Sequence, residues 1–164
     1  MNSKIKNSLV KTEMNPDGIL RLILNNPNNH NVLSEEMMEN IQTVLNESTK
    51  DTKIRVIIIS AEGSTFSAGH DLKELKSARK NSDNGRDYFK KVMLKCSILM
   101  QSIVKCPKPI IAEVSGTATA AGCQLVASCD LAYAGPSAKF ATPGVNIGLF
   151  CSTPMVALSR SITN

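Results

Sequence analysis

The sequence has 164 residues, of which 42% are hydrophobic and 20% charged, and a formal net charge of +5. These values are typical of one soluble globular domain, and no apolar run approaches the roughly 20 residues of a membrane-spanning helix. The polar, lysine-bearing N-terminus lacks both the apolar segment of a secretory signal and the arginines of a transit peptide, which favours a cytoplasmic location.

The five cysteines argue against a disulfide framework, because their number is odd and no C-x-x-C pair occurs. The same spacing argues against a zinc or other metal site. We therefore interpret the cysteines as small buried side chains in a reducing compartment. The positive charge suits an anionic partner, but scattered lysines and an aromatic content of 4% do not favour nucleic-acid binding. A phosphate-bearing small ligand fits the charge equally well.

The first half of the chain predicts two strands, a helix and a buried strand, in that order. Residues 10–13 and 19–25 have strand character, and the Asn-Pro-Asp-Gly segment at 15–18 between them is typical of a turn. Ser34 is the predicted N-cap of a helix whose apolar residues recur at helical spacing. The β-branched run at 56–59 is too short for a helix and predicts a parallel strand covered on both faces.

The second half continues the alternation of helices and strands, which predicts an α/β fold. A small-residue loop leads into a short charged helix or turn, and a longer amphipathic helix then ends before two prolines. A strand, a small-residue stretch that becomes helical by Cys123, and a further strand follow. These segments are the loop at 63–71, the helix or turn at 71–80, the helix at 88–103, the strand at 110–114, the stretch at 116–128 and the strand at 131–134.

Two segments, 66–74 and 115–124, depart from ordinary packing sequence. In each, a predicted buried strand ends in very small side chains and a helix then begins. Small residues allow the backbone to approach a ligand closely, and the start of a helix offers free N–H donors. Two such junctions in one domain suggest paired backbone donors that converge on one oxygen, which is the geometry of an oxyanion hole.

Four segments in order, 22–33, 66–74, 116–130 and 140–143, resemble the motifs of the enoyl-CoA hydratase/isomerase (crotonase) family. The resemblance implies an α/β spiral of ββα units over residues 1–164, which holds a bent CoA thioester as substrate or ligand and needs no further cofactor. The chain stops in what resembles the middle of the family core. We therefore expect it to lack the C-terminal helices that in relatives cover the acyl pocket and build a homotrimer or a dimer of trimers.

By position, the resemblance assigns the two oxyanion donors to the backbone N–H groups of His70 and Ala121. Ala121 stands where glycine is usual, so it would be strained if that position requires a positive φ. The Ala68 carbonyl is expected to face the adenine of CoA. The positions implied to contact or flank the CoA ligand are Ala68, Gly69, Asp71 and Leu72.

The sequence departs from the family at both hydratase glutamates, whose positions are occupied by Gln124 and Gly144. A glutamine positions water but does not accept its proton, and a glycine offers no side chain. In the replacement of both glutamates, the chain resembles the enoyl-CoA hydratase domain-containing subgroup related to mammalian mitochondrial proteins. We expect acyl-CoA binding in fatty-acid metabolism without standard hydratase activity, and a mitochondrial matrix location if the source is eukaryotic.

Several alternatives remain open from the residues alone. His70 is either a packing residue or an acid–base group, and Asp71 either orders its loop or abstracts a proton. Cys123 and Cys151 are either buried or nucleophilic, and Asn146 is a possible hydrogen-bonding partner of the ligand. The functional alternatives are an active hydratase, isomerase or hydrolase that uses non-standard groups, and a non-catalytic RNA-binding or scaffold protein.

Overall fold

The computed structural model describes residues 9–162 and begins with an antiparallel hairpin. Strand β1 (Val10–Met14) pairs with strand β2 (Ile19–Leu24). The Asn15 side-chain oxygen accepts the backbone N–H groups of Asp17 at 3.1 Å and Ile19 at 2.9 Å. This asparagine turn satisfies the loop backbone locally, and the predicted hairpin is confirmed.

A five-stranded sheet forms one layer. Besides β1 and β2 it contains β3 (Val56–Ala61), β5 (Ile110–Val114) and β7 (Leu131–Ala134), which run parallel to β2. The strand order is β1-β2-β3-β5-β7. The alternation of strands with long connections in the sequence predicted this parallel arrangement.

The prediction that β3 is covered on both faces was only partly right. Ile57 and Ile59 are fully buried, whereas Ile58 on the opposite face is half-buried. That outer face carries an ion pair between Arg21 of β2 and Glu113 of β5, which are 2.6 Å apart and partly exposed. A polar pair rather than a helix therefore lies beside Ile58.

A second, three-stranded parallel sheet was not predicted. It contains β4 (Thr65–Ser67), β6 (Thr117–Thr119) and β8 (Lys139–Ala141) in that order. From β3 onward, each turn of the chain adds a strand to the large sheet, a strand to the small sheet, and at least one helix. The α/β spiral of ββα units that the resemblance implied is therefore the architecture of the described chain.

In the part of the chain that the structure describes, five α-helices complete these turns. Helices α1 (Glu35–Lys50), α2 (Leu72–Ala78) and α3 (Arg86–Val104) match the predicted segments. Helix α4 (Ala121–Ala127) begins two residues earlier than predicted, and α5 (Ser152–Ser161) was not predicted. Within residues 9–162, no helix combines the length and apolar character that crossing a bilayer requires.

The main core lies between the large sheet and the helices α1 and α3. Ser34 caps α1, since its hydroxyl oxygen accepts the Met37 N–H at 3.1 Å, as predicted. Phe66 is 1% exposed and anchors β4 in this core directly before the first small-residue loop. At the other side of the spiral, β7 and β8 are exposed edges that present Tyr133 and Phe140 to solvent.

Candidate functional site

The two small-residue junctions of the sequence meet in the structure, because β4 and β6 are neighbours in the small sheet. A Cβ atom at Gly122 would lie 2.2 Å from the Ser67 carbonyl oxygen, and a Cβ atom at Gly69 would lie 3.0 Å from the Ala121 nitrogen. Backbone therefore contacts backbone across the two loops. Glycine is required at Gly122 for this approach, and at Gly69 also for its φ of 84°.

Two backbone donors border this contact, the N–H groups of His70 and Ala121. Ala121 is the first residue of α4, so its N–H has no partner within the helix. Across residues 9–162, neither N–H donates a hydrogen bond to another protein group. The neighbouring backbone is fixed, since the Gly69 carbonyl accepts the Leu33 N–H at 2.7 Å and the Ala120 N–H donates to Ala141 at 3.0 Å. The junctions thus hold two free donors on an immobilised backbone.

Backbone strain lies at Ala120 and not at Ala121, the position for which the sequence raises the possibility of strain. Ala120 has φ 49° and ψ −124°, a conformation that glycine adopts readily and that other residues rarely adopt. Ala121 already has the helical backbone of α4, because the sharp change of direction between β6 and α4 occurs one residue earlier. The strained residue therefore immediately precedes a free donor.

Replacing this strained residue should stabilise the protein. A strained backbone conformation costs on the order of 1–3 kcal/mol, and glycine loses about 0.5–1 kcal/mol of chain entropy on folding. We expect Ala120→Gly to raise the free energy of unfolding by about 1 kcal/mol in urea denaturation. The matched control is Ala157→Gly inside α5, which should lower it by about 1 kcal/mol. Destabilisation by Ala120→Gly would contradict the positive φ at this position.

A cavity of about 620 Å³ adjoins the junctions and runs between α3, α4 and α5. His70 and Gln124 form part of its wall. Of the buried side-chain N and O atoms in residues 9–162, two have no hydrogen-bond partner, and they are Nδ1 of His70 and Oε1 of Gln124. An unpaired buried polar atom costs roughly 1–3 kcal/mol, so both atoms would gain from a polar ligand or water in the cavity.

The environment of His70 favours its neutral form. Burial lowers the pKa of the imidazole from its ordinary value of 6.5, and the Leu33 backbone carbonyl opposes this shift. Burial is the larger of the two effects on the pKa, and Nδ1 has no hydrogen-bond partner among the described residues. A neutral imidazole can accept or donate one proton near the cavity.

The lowered pKa of His70 predicts a loss of stability in mild acid. Below pH 6.5 the unfolded chain binds a proton that the folded chain resists, so the free energy of unfolding should decrease as the pH falls through this value. In urea denaturation from pH 7.5 to pH 5, His70→Asn should flatten this decrease. The control is His30→Gln, which removes an exposed histidine that does not line the cavity. An unchanged slope for His70→Asn would refute a buried, neutral His70.

The candidate ligand-flanking residues serve the local structure in different ways. Asp71 caps α2, because its Oδ1 atom accepts the N–H groups of Lys73 at 2.8 Å and Glu74 at 3.4 Å, which agrees with its loop-ordering role. The Ala68 carbonyl accepts the Thr119 hydroxyl at 3.2 Å and so links the two junctions. Leu72, the first residue of α2, is 75% exposed.

The position of the second hydratase glutamate is not part of the cavity wall. A Cβ atom at Gly144 would lie 2.6 Å from Cys151 Sγ and 2.7 Å from the Leu149 carbonyl oxygen, so this backbone has no room for a larger side chain. His70 and Gln124 line the cavity, whereas Ala121, Gly144, Asn146 and Cys151 do not. The structure thus brings His70 and Gln124 together in one wall, and Ala121 lies against Gly69 at the adjoining junction.

The buried thiols are poor nucleophiles. Burial raises the pKa of Cys123, and a backbone hydrogen bond from Ala141 opposes the shift. Burial raises the pKa of two cavity-lining thiols further, to about 11 for Cys96 and about 12 for Cys129. Because the thiolate is the reactive form, these raised pKa values disfavour a nucleophilic role for the three thiols. The prediction that the cysteines are buried is right for Cys96 and Cys123, whereas Cys106, Cys129 and Cys151 are half-buried.

Comparison with known proteins identifies the family. A family model described as enoyl-CoA hydratase/isomerase matches residues 14–163. The chain belongs to the enoyl-CoA hydratase/isomerase family. It is 54% identical over 145 residues to the mitochondrial enoyl-CoA hydratase domain-containing protein 3 of Xenopus laevis, covering 88% of this chain and 48% of that protein. The subgroup inferred from the two missing glutamates is confirmed.

Solved structures of the enoyl-CoA hydratase/isomerase family share the fold. The crystal structure of human enoyl-CoA hydratase domain-containing protein 3 aligns with a TM-score of 0.83 and 50% identity, covering 92% of this chain and 57% of that one. An enoyl-CoA hydratase from Mycobacterium smegmatis aligns with a TM-score of 0.87 and 42% identity, covering 96% and 60%. The chain spans about half the length of the curated relatives it matches.

Sequence reasoning missed the outer wall of the cavity. That wall includes Lys105 at the end of α3 and Arg160 near the end of α5. The segment at 152–161 contains the apolar residues Met155, Val156 and Leu158, a weak helical signal that would have suggested α5. Its position against α4 is a tertiary property that the sequence pattern does not reveal.

Proposed function

We propose that this protein binds an acyl-CoA thioester, with the thioester carbonyl oxygen between the backbone N–H groups of His70 and Ala121. The observation that carries the proposal is the pair of free donors on two loops in backbone contact. Fixed N–H groups stabilise negative charge on a carbonyl oxygen without reorganisation. The acyl chain would occupy the adjoining cavity, in a role within acyl-CoA or fatty-acid metabolism.

The proposed role excludes the standard hydration mechanism. Adding water to an enoyl thioester requires one group that takes the proton of water and another that manages the proton at Cα. Gln124 is an amide, and Gly144 has neither a side chain nor space for one. We therefore propose an acyl-CoA-binding protein that has lost the hydratase acids and kept the thioester cradle.

A second candidate is a CoA-thioester hydratase, isomerase or hydrolase that uses non-standard groups. The unpaired Nδ1 of His70 and Oε1 of Gln124 in the cavity wall favour it, because both atoms can bind one water or substrate group. Turnover of a CoA thioester that is lost in both His70→Asn and Gln124→Ala would favour this candidate. Its pH–rate profile would then follow a histidine and not a carboxylate.

The descriptions of two relatives favour a mitochondrial location for this protein. The Xenopus laevis and human proteins are both described as mitochondrial. We propose the mitochondrial matrix for this protein in a eukaryotic cell, in place of the cytoplasmic default. Fractionation of cells that express the native gene tests this, and recovery in the cytosol alone would contradict it.

Calorimetric titration tests the binding proposal. We expect hexanoyl-CoA to bind about tenfold more tightly than its thioether analogue hexyl-CoA, because the thioether lacks the carbonyl oxygen that the two donors contact. Both ligands share the nucleotide and the alkyl chain, so the difference isolates the carbonyl. Equal affinities would contradict the two-donor site, and absence of binding by folded protein would contradict CoA recognition altogether.

A further inference from the structure

The cavity has a second, cationic end. Helix α4 runs from the donor of Ala121 to Ala127, a rise of about 9 Å. At its C-terminal end, the Ser161 hydroxyl donates to the Ala127 carbonyl at 2.7 Å and thereby fixes α5 against α4. Lys105 and Arg160 both line the cavity, and Arg160 directly precedes Ser161. Ala121 and Arg160 therefore lie toward opposite ends of α4, and Lys105 lines the same cavity as Arg160.

The two cations are not neutralised by protein carboxylates. Lys105 Nζ bonds the neutral Gln101 side chain at 3.2 Å. Within the described part of the chain, neither Lys105 nor Arg160 has a carboxylate within 4.0 Å. Among the described residues that line the cavity, one is acidic, Asp130, whose Oδ2 atom accepts the Ile110 N–H at 2.7 Å. With His70 neutral, the cavity wall carries an excess of positive charge.

The cavity wall also has a partly exposed apolar portion. It contains Met93, Met100, Val104 and Val156, whose side chains suit a row of methylene groups. A chain that ends in a methyl group would place that group against two cations. A chain that ends in a carboxylate would instead pair with them, and a guanidinium binds a carboxylate through two parallel hydrogen bonds.

We propose that the acyl group bound here ends in a carboxylate, so that the ligand is the CoA monothioester of a dicarboxylic acid. Arg160 and Lys105 contact the distal carboxylate, and both act as specificity residues. The inference rests on the proposed function, because it assumes that the thioester lies at His70 and Ala121. The phosphates of CoA are the other anionic source for these cations, and the test separates the two.

The test is a calorimetric comparison of adipoyl-CoA with hexanoyl-CoA, which have acyl chains of equal length and differ in the distal carboxylate. We expect adipoyl-CoA to bind about tenfold more tightly at low salt, since one exposed ion pair contributes up to about fivefold and two are formed. Arg160→Gln and Lys105→Gln should each weaken adipoyl-CoA and leave hexanoyl-CoA unchanged. The matched control is Arg86→Gln, which removes an exposed arginine at the start of α3.

Each other outcome has a defined meaning. Hexanoyl-CoA that binds as tightly as adipoyl-CoA overturns this inference and leaves the proposed function intact. Binding of neither ligand by folded protein refutes the proposed function itself. Equal weakening of both ligands by Arg160→Gln and Lys105→Gln shows that the cations hold the CoA phosphates, which also overturns the inference. Circular dichroism of each variant verifies that it is folded, and Lys105→Gln decides the matter if Arg160→Gln does not fold.

Discussion

Gly122→Ala is expected to lower the free energy of unfolding by about 3 kcal/mol. The added Cβ atom would lie 2.2 Å from the Ser67 carbonyl oxygen and 2.8 Å from the Ser67 Cβ atom. Backbone does not yield as a flexible side chain does, so α4 has to move away from β4, and overpacking of this kind costs about 1–3 kcal/mol or more. The better helix propensity of alanine, worth up to about 1 kcal/mol, does not offset such a clash.

Urea denaturation of Gly122→Ala and of a matched control measures this effect. Gly135→Ala is the control, because the nearest atoms to its added Cβ would be 3.7 Å away, and its stability should stay within about 0.5 kcal/mol of wild type. We also expect Gly122→Ala to lose acyl-CoA affinity, since the movement separates the two donors. Wild-type stability in Gly122→Ala would mean that the two junctions are not in backbone contact.

Removing a single hydrogen-bond donor at Ala121 should have the largest functional effect. Replacing Ala121 by lactic acid turns its peptide N–H into an ester oxygen and keeps the methyl side chain. The affinity for hexanoyl-CoA should fall about tenfold, because one hydrogen bond is lost and an ester oxygen then faces the ligand carbonyl. If any thioester is turned over, its rate should fall about 100-fold or more.

This replacement is specific because the Ala121 N–H has no partner within the described chain. The one internal bond affected is that from the Gln124 N–H to the Ala120 carbonyl, 3.1 Å long, which becomes a bond to a weaker ester acceptor. A denaturation curve measures that contribution separately. The thioether hexyl-CoA, which lacks the carbonyl, should bind the ester variant and the wild type equally. Unchanged hexanoyl-CoA affinity would exclude Ala121 as an oxyanion donor.

Local sequence signals were sufficient to predict much of the large sheet and the helices that pack on it. The Asn15 turn, the Ser34 cap and the apolar spacing of α1 are properties of short segments, and the structure confirms them. The strands of the small sheet are three residues long, too short for an alternating pattern to appear. Only their parallel pairing defines them, and it joins residues that are distant in sequence, such as Thr65 with Thr117 and Thr117 with Lys139.

In the candidate site too, some features follow from short sequence segments and others depend on tertiary contacts. The small-residue junctions predicted paired backbone donors, and the family resemblance assigned them to His70 and Ala121. The strained backbone lies at Ala120 instead of Ala121, because the exact residue at which a chain turns depends on tertiary contacts. Likewise, the glutamate positions were found by motif spacing, whereas the unpaired atoms of His70 and Gln124 emerge only when α3, α4 and α5 enclose a cavity. Burial and pairing are therefore properties of the assembled fold.

A titration with crotonyl-CoA, with hydration of the same ligand followed in the same sample, tests the thioester cradle and the loss of the hydratase acids together. We expect saturable binding and no hydration above the buffer rate, since Gln124 and Gly144 provide no carboxylate. Hydration of crotonyl-CoA by the wild type that disappears in Gln124→Ala would contradict the proposed loss of hydratase activity. Failure of the folded protein to bind crotonyl-CoA would contradict the thioester cradle itself.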